Sequence, residues 1–274
     1  MSPEMTVPLA RAHYHSLQLL MELPDETLVW PAHGAGSFCS AASTGERTTT
    51  IGRERATNSL LQVEVDGEDF FVDALLGSLG KFPDYFLRPG DVNLRGPAVL
   101  AAAPTLSALS LEKVVEFQDE VAQIVDTHRA SDFAAGHIPG SLSIALRPVF
   151  ATWLGWLADP RRPVVIVCSS DQDPDDIVWA TAKVGFDTLA GELDGGLPAW
   201  GDTTTAMASS LIAAGRLVRG AEASASVIDV RQGTEFSAGH IADARNVELA
   251  GLGGTFPNCR AAPLSSCADT ENAP

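Results

Sequence analysis

"DTHRASDFAAGHIPGSLSIAL", residues 126–146, returns later in the chain as "DVRQGTEFSAGHIADARNVEL", residues 229–249. The two lie over one another in a single frame without a gap: Asp126 meets Asp229, Phe133 meets Phe236, Gly136 meets Gly239, His137 meets His240, Ile138 meets Ile241 and Leu146 meets Leu249. Such self-similarity marks two homologous modules in tandem. Each copy starts on a β-branched run ending in Asp (QIVD, SVIDV), passes through a polar stretch and closes on GHI and a second short apolar run. The pattern predicts strand, helical turn, strand.

The flanks of the first copy extend this reading. RPVFATWLGWLA (147–158) has a helical period, PVVIVC (163–168) is a short buried strand, and DPDDIVWATAKVGF (173–186) is a helix led by acids, which the positive end of a helix dipole favours. Strands alternating with helices of this length imply an α/β unit with a mainly parallel sheet. Upstream, SLQLLMELPDETLVWPAHGAGSFCS (16–40) reads as a helix, a PD turn, the short strand TLVW and a Gly-rich loop carrying His33, and it has no later copy. The small, Pro-bearing stretch 97–117 reads as the link to the first copy. Past Gly251 neither period persists, so residues 254–274 are expected to be a disordered tail. The resulting division is 1–98, 105–205 and 208–274.

Composition excludes some functions. The chain has 274 residues, with 35 acidic against 18 basic side chains and a net charge of −17. That charge repels a phosphate backbone, so nucleic acid is not an expected partner. No run reaches the ~18 apolar residues of a membrane span, and the N-terminus lacks the basic-then-apolar order of a signal peptide, which leaves the cytoplasm as the expected location. Cys39, Cys168, Cys259 and Cys267 are too scattered for a disulfide framework or a zinc knuckle and read as reduced thiols.

The pattern DxxxxxDFxxGHIPG, then a buried strand ending in Cys168, then a helix, then GELDGGLPAW closing at Trp200, resembles the rhodanese-like domain over about residues 115–202. The resemblance implies a three-layer α/β/α module in which a cysteine at the end of a parallel strand collects sulfane sulfur as a persulfide and passes it on. LPDETLVWPAHGAGSFC (23–39) followed by TIGRERATN (50–58) resembles the C-terminal half of the metallo-β-lactamase fold, as found in persulfide dioxygenases fused to rhodanese repeats. The implied order is a partial metallo-β-lactamase-like α+β segment, a rhodanese-like domain and a truncated second rhodanese-like repeat. In that second repeat the counterpart of Cys168 would fall at Glu271. The chain is therefore expected to be a product truncated at both ends.

Complete members of that family carry iron or zinc. Here the HxHxDH motif is missing before the PAHGAGS segment, and HYHSL (13–17) reads as a solvated helix face. The resemblance gives His33 the position of a ligand used only in two-metal hydrolases. One histidine cannot hold a catalytic metal alone, so no cofactor is expected in this chain.

Cys168 is the candidate catalytic residue. A sulfur-transfer cysteine works as a thiolate and needs inward-facing N–H groups or a cation. Asp171, Asp173, Asp175 and Asp176 follow instead, with no base before Lys183 and no glycine in the loop. Carboxylates nearby raise a thiol pKa and repel anionic donors. His137 and His240 read as structural members of GHI turns, Asp126 and Asp229 as strand ends bonded to backbone, and His128 as the replacement for the arginine kept at Arg231.

The expected function is that of a rhodanese-like protein of sulfane-sulfur metabolism, a degenerate or truncated persulfide dioxygenase–rhodanese fusion with weak or no sulfurtransferase activity. Its expected partner is a sulfur-carrying small molecule or thiol. The alternative is a non-catalytic binding or dimerisation module, with a homo-oligomer covering exposed surface, and the third reading is a metallo-β-lactamase-fold hydrolase.

Overall fold

The structure, a computed structural model, describes residues 3–31, 48–63, 67–79, 83–96, 99, 105–120, 122–187, 189–201, 206–218 and 226–249. Contacts divide the chain into two compact units, 1–82 and 83–274.

In the first unit, helix α1 (Thr6–Met21) is followed by strands β1 (Leu28–Val29) and β2 (Thr49–Thr50), which pair antiparallel, and by helices α2 (Ile51–Thr57), α3 (Ser59–Val63) and α4 (Glu68–Ser78). β1 falls on the predicted TLVW run. Thr50 ends β2 and caps α2, its hydroxyl accepting from the Arg53 N–H at 3.2 Å, which satisfies one of the unpaired amides of a helix start. α1 and α4 enclose Ala10, Phe71 and Val72, with Tyr14 and Leu17 packed on them. His13 and His15 are exposed on α1, as the helix-face reading of HYHSL expects.

The second unit begins with a 3₁₀ turn (Asp84–Leu87) and helix α5 (Arg88–Arg95). Both pack with the α/β domain that follows: Tyr85 lies against Gly155, and Arg88 Nη2 donates to the Val184 carbonyl at 3.1 Å. Residues 83–96 therefore group with the second unit, whereas the sequence division placed them in the first. A short exposed helix gives no sign in its sequence of the distant backbone it will pack on.

Five parallel strands form the sheet of this unit, in the order β3 (Ala108–Leu109), β7 (Leu189–Leu193), β6 (Val164–Val167), β4 (Gln123–Asp126), β5 (Leu142–Ser143). Between them run α6 (Leu111–Glu120), α7 (Ala130–Ala135), α8 (Phe150–Leu157), α9 (Pro174–Ala182) and α10 (Gly196–Gly201). Alternation along the central strands splits the core in two. Val125, Val164 and Ile166 pack with Phe150, Leu154 and Ile177 of α8 and α9. Ile124, Val165 and Val167 pack on the other face with Val114 of α6 and Trp200 of α10. Covering both faces buries β4 and β6 at every position and allows β6 to be apolar throughout, and it gives the α/β/α layering expected from the sequence.

After α11 (Ala214–Val218), residues 226–249 form β8 (Ile228–Asp229), α12 (Gly233–Ala238) and β9 (Arg245–Asn246), with β8 and β9 parallel. These elements fall at the positions that match β4, α7 and β5. His33, the Gly-rich loop, Cys39 and the expected disordered tail, with Cys259 and Cys267, lie outside the described residues. No helix among the described residues is long and apolar enough to cross a membrane.

Candidate functional site

The carboxyl ends of parallel strands are where ligands gather in open α/β sheets, and Cys168 follows β6 there, half-buried. Its position is fixed from two sides. Gly196, at φ +61°, brings the turn after β7 so close that a Cβ there would sit 2.9 Å from the Cys168 carbonyl oxygen, so both conformation and space demand glycine. Beyond the cysteine, Gln172 closes the loop: its Oε1 accepts from the Ser169 N–H at 3.1 Å and the Thr127 hydroxyl at 2.7 Å, and its Nε2 donates to the Thr127 carbonyl at 2.9 Å. The Ser169 amide is thus already engaged with Gln172, and is not turned toward the sulfur as a cradle would need.

The thiol itself donates to Glu192 Oε2 at 3.0 Å. Glu192 lies on β7 in register with Ile166, and Cys168, just past the end of β6, packs on the same side of the sheet as Ile166, so its side chain meets Glu192 beside the strand end. Burial raises the Cys168 thiol most; the bond to Glu192, the Glu192 charge and the Asp126 charge add to it, and together they take it up to about 12. The rise was expected, but its cause differs. Asp171 accepts from the Ser169 hydroxyl, which holds its carboxyl below the usual range, and Asp173 caps α9 by accepting from the Asp175 N–H at 2.9 Å. The loop aspartates serve the loop and the helix, while the carboxylates acting on the sulfur come from β7 and β4. Glu192 escaped the sequence reading because only the strand order reveals it. A carboxylate in an apolar strand just before a Gly-Gly turn was the available signal.

Asp126 is fully buried; its Oδ1 accepts from the His128 N–H at 3.0 Å and meets His128 Nδ1 at 2.7 Å. That bond raises the His128 pKa. His137 stacks on Phe133 with ring centres 4.0 Å apart and sets Nδ1 2.8 Å from the Phe133 carbonyl, a structural role. Among the described residues no three His, Cys, Asp or Glu side chains come together as metal ligands.

A doubly covered parallel sheet, a cysteine at the carboxyl end of its central strand and a Gly-Gly turn leading to a buried tryptophan define a rhodanese-like domain. Residues 110–203 match the family described as Rhodanese-like domain. Thiosulfate sulfurtransferase GlpE of Shewanella oneidensis is 32% identical over 93 residues, covering 34% of this chain and 89% of that protein. The chain belongs to the rhodanese-like family.

Over more of its length the chain is similar in fold to a metallo-beta-lactamase from Staphylococcus aureus subsp. aureus COL, with a TM-score of 0.50 at 24% identity, covering 67% of this chain and 49% of that one. The chain thus spans about half the length of that structure. A thiosulfate sulfurtransferase from Pseudomonas aeruginosa matches with a TM-score of 0.31 at 18% identity, covering 54% of this chain and 35% of that one.

Proposed function

We propose that this chain handles sulfane sulfur through its rhodanese-like domain, with Cys168 as the acceptor atom, and that it turns over thiosulfate only weakly. Its partners in this reading are a sulfur-carrying small molecule and an accepting thiol or other nucleophile. The family membership and the relative named thiosulfate sulfurtransferase support the chemistry. The observation that carries the weak activity is the Sγ–Glu192 bond of 3.0 Å at the strand end.

The step is a displacement. Sγ bonds to the outer sulfur of thiosulfate, the S–S bond breaks, sulfite leaves, and the proton lost from Sγ ends on the new persulfide or in solvent; a nucleophile such as cyanide then removes the outer sulfur. Only a thiolate attacks well, and a thiol raised to about 12 is almost wholly protonated at neutral pH.

In a thiosulfate:cyanide assay the wild type is expected to turn over slowly, faster as pH rises above 8, and Cys168→Ala is expected to fall to background. Equal background rates for both proteins across that pH range would overturn the reading.

The broader assignment is a degenerate persulfide dioxygenase–rhodanese fusion with tandem rhodanese-like units, acting in the cytoplasm and without a resident metal. A second reading, a docking or dimerisation module, is favoured by one observation: no described residue of 206–249 is buried. It predicts a dimer in analytical ultracentrifugation that dissociates when 206–274 is deleted.

A further inference from the structure

We propose that Glu192 determines which sulfur donors reach Cys168, turning away anionic donors and admitting uncharged organic polysulfides. The inference rests on Cys168 being the sulfur acceptor and names the substrate class for that site.

Sγ and the Glu192 carboxylate are 3.0 Å apart on adjacent strands of one sheet, the thiol donating and the carboxylate accepting. A donor reacts by placing a sulfur in line with Sγ, within bonding range of that same carboxylate. A charge that close and partly shielded from water acts strongly on a like charge. Among the described residues no cation acts on Sγ: Gln172 occupies the Ser169 amide, and Asp126 adds negative charge to that of Glu192. The positive groups at this end, Arg129 and His128, act on Asp171, and His128 is bonded to Asp126. Thiosulfate carries two negative charges and meets repulsion throughout its approach. A neutral trisulfide R–S–S–S–R does not. With it, Sγ bonds to the central sulfur, one S–S bond breaks, and RS⁻ leaves and takes up the proton that Sγ gives up, so no oxidant or reductant is required.

The test reads Cys168 directly in the full chain, with Cys39, Cys259 and Cys267 replaced by serine. The rate of mixed-disulfide formation is measured with uncharged 2,2′-dithiodipyridine and with dianionic 5,5′-dithiobis(2-nitrobenzoate), for wild type, Glu192→Gln and Glu192→Asp. Glu192→Gln lowers the thiol pKa and so accelerates both reagents. The expected result is a further gain of about tenfold or more for the dianion over the neutral reagent, with the wild-type ratio kept in Glu192→Asp. Glu192→Ser replaces Glu192→Gln if the latter does not fold. An equal gain with both reagents, or none with either, overturns the proposal. Absence of thiosulfate:cyanide turnover in every variant would sink the functional reading alone, since the labelling ratio does not depend on turnover.

Discussion

Residues 126–146 lead from the end of β4 to the edge strand β5 of a five-stranded sheet and bury several side chains, whereas residues 229–249 join two strands and contain no buried residue. Their local structures nevertheless coincide. His240 stacks on Phe236 with ring centres 3.7 Å apart and its Nδ1 2.8 Å from the Phe236 carbonyl, as His137 does on Phe133. Asp229 accepts from the Arg231 N–H at 3.0 Å, as Asp126 does from His128. These bonds span two to four residues, so the segment makes them wherever it is placed. Burial is different: it comes from β6, with α8 and α9 on one face and α6 and α10 on the other, and among the described residues only the first segment has them. The difference separates what the pattern itself encodes, a strand–turn–strand with an Asp and a stacked His, from what a complete domain adds, which is a core and a site.

The core should dominate the energetics. Ile138 is fully buried and packs with Val165, Val167 and Trp200, whereas Ile241 is half-buried. Ile138→Ala is expected to cost about 2–5 kcal/mol through lost transfer energy and a residual cavity, and Ile241→Ala less than about 1 kcal/mol. Denaturant unfolding followed by hydrogen exchange on peptides from each segment measures both. Similar losses at the two positions would mean that the second segment has a core of its own.

Cys168 gives the next effect, again confined to the rhodanese-like domain. Its thiol rises from the ordinary 9.0 to about 12 in the folded chain, so between those values the folded state holds a proton that the unfolded state has released. The stabilisation is therefore complete below pH 9 and disappears as pH climbs through 12. Because the group is half exposed, the full shift overstates its worth, and a loss of about 1–2 kcal/mol is the expected size. Chemical denaturation at pH 8 and pH 10.5 should find a smaller drop in Cys168→Ser than in wild type. Parallel drops would show that the thiol titrates normally.

How much of this the sequence could disclose follows the same division. Period and capping placed β4, β6, α8 and α9, since PVVIVC has room only for a buried strand and Asp173 with Pro174 can hardly do anything but start a helix. The GHI histidines were legible as structural for the same local reason. Glu192 was not, because its meeting with Cys168 depends on β7 lying beside β6, a pairing across 24 residues that no local pattern records. The packing of Tyr85 against Gly155 and of Arg88 against Val184 was hidden in the same way. The loop aspartates misled by proximity in sequence: adjacent residues can point elsewhere once a hydroxyl or a helix start claims them.

The smallest effect concerns the one substitution that distinguishes the two aspartates' partners. Asp229 is held by Arg231 through Nε at 3.0 Å and Nη2 at 2.6 Å, whereas buried Asp126 is held by His128, whose pKa the bond raises. A histidine raised on folding stabilises fully below its unfolded pKa and loses that contribution as pH rises through its folded one, so the rhodanese-like domain should weaken on going from pH 6 to 8. An arginine stays charged throughout. His128→Arg should therefore flatten that dependence, while Arg231→His should introduce it in the second segment, both by less than about 1 kcal/mol because Asp229 is partly solvated and His128 is already close to its carboxylate. The measurement is the stability difference between pH 6 and pH 8 for each variant. If His128→Arg keeps the wild-type slope, the proton on His128 does not govern the pair, and the His–Asp contact acts only through the neutral ring donating to a carboxylate that sheet and backbone already hold.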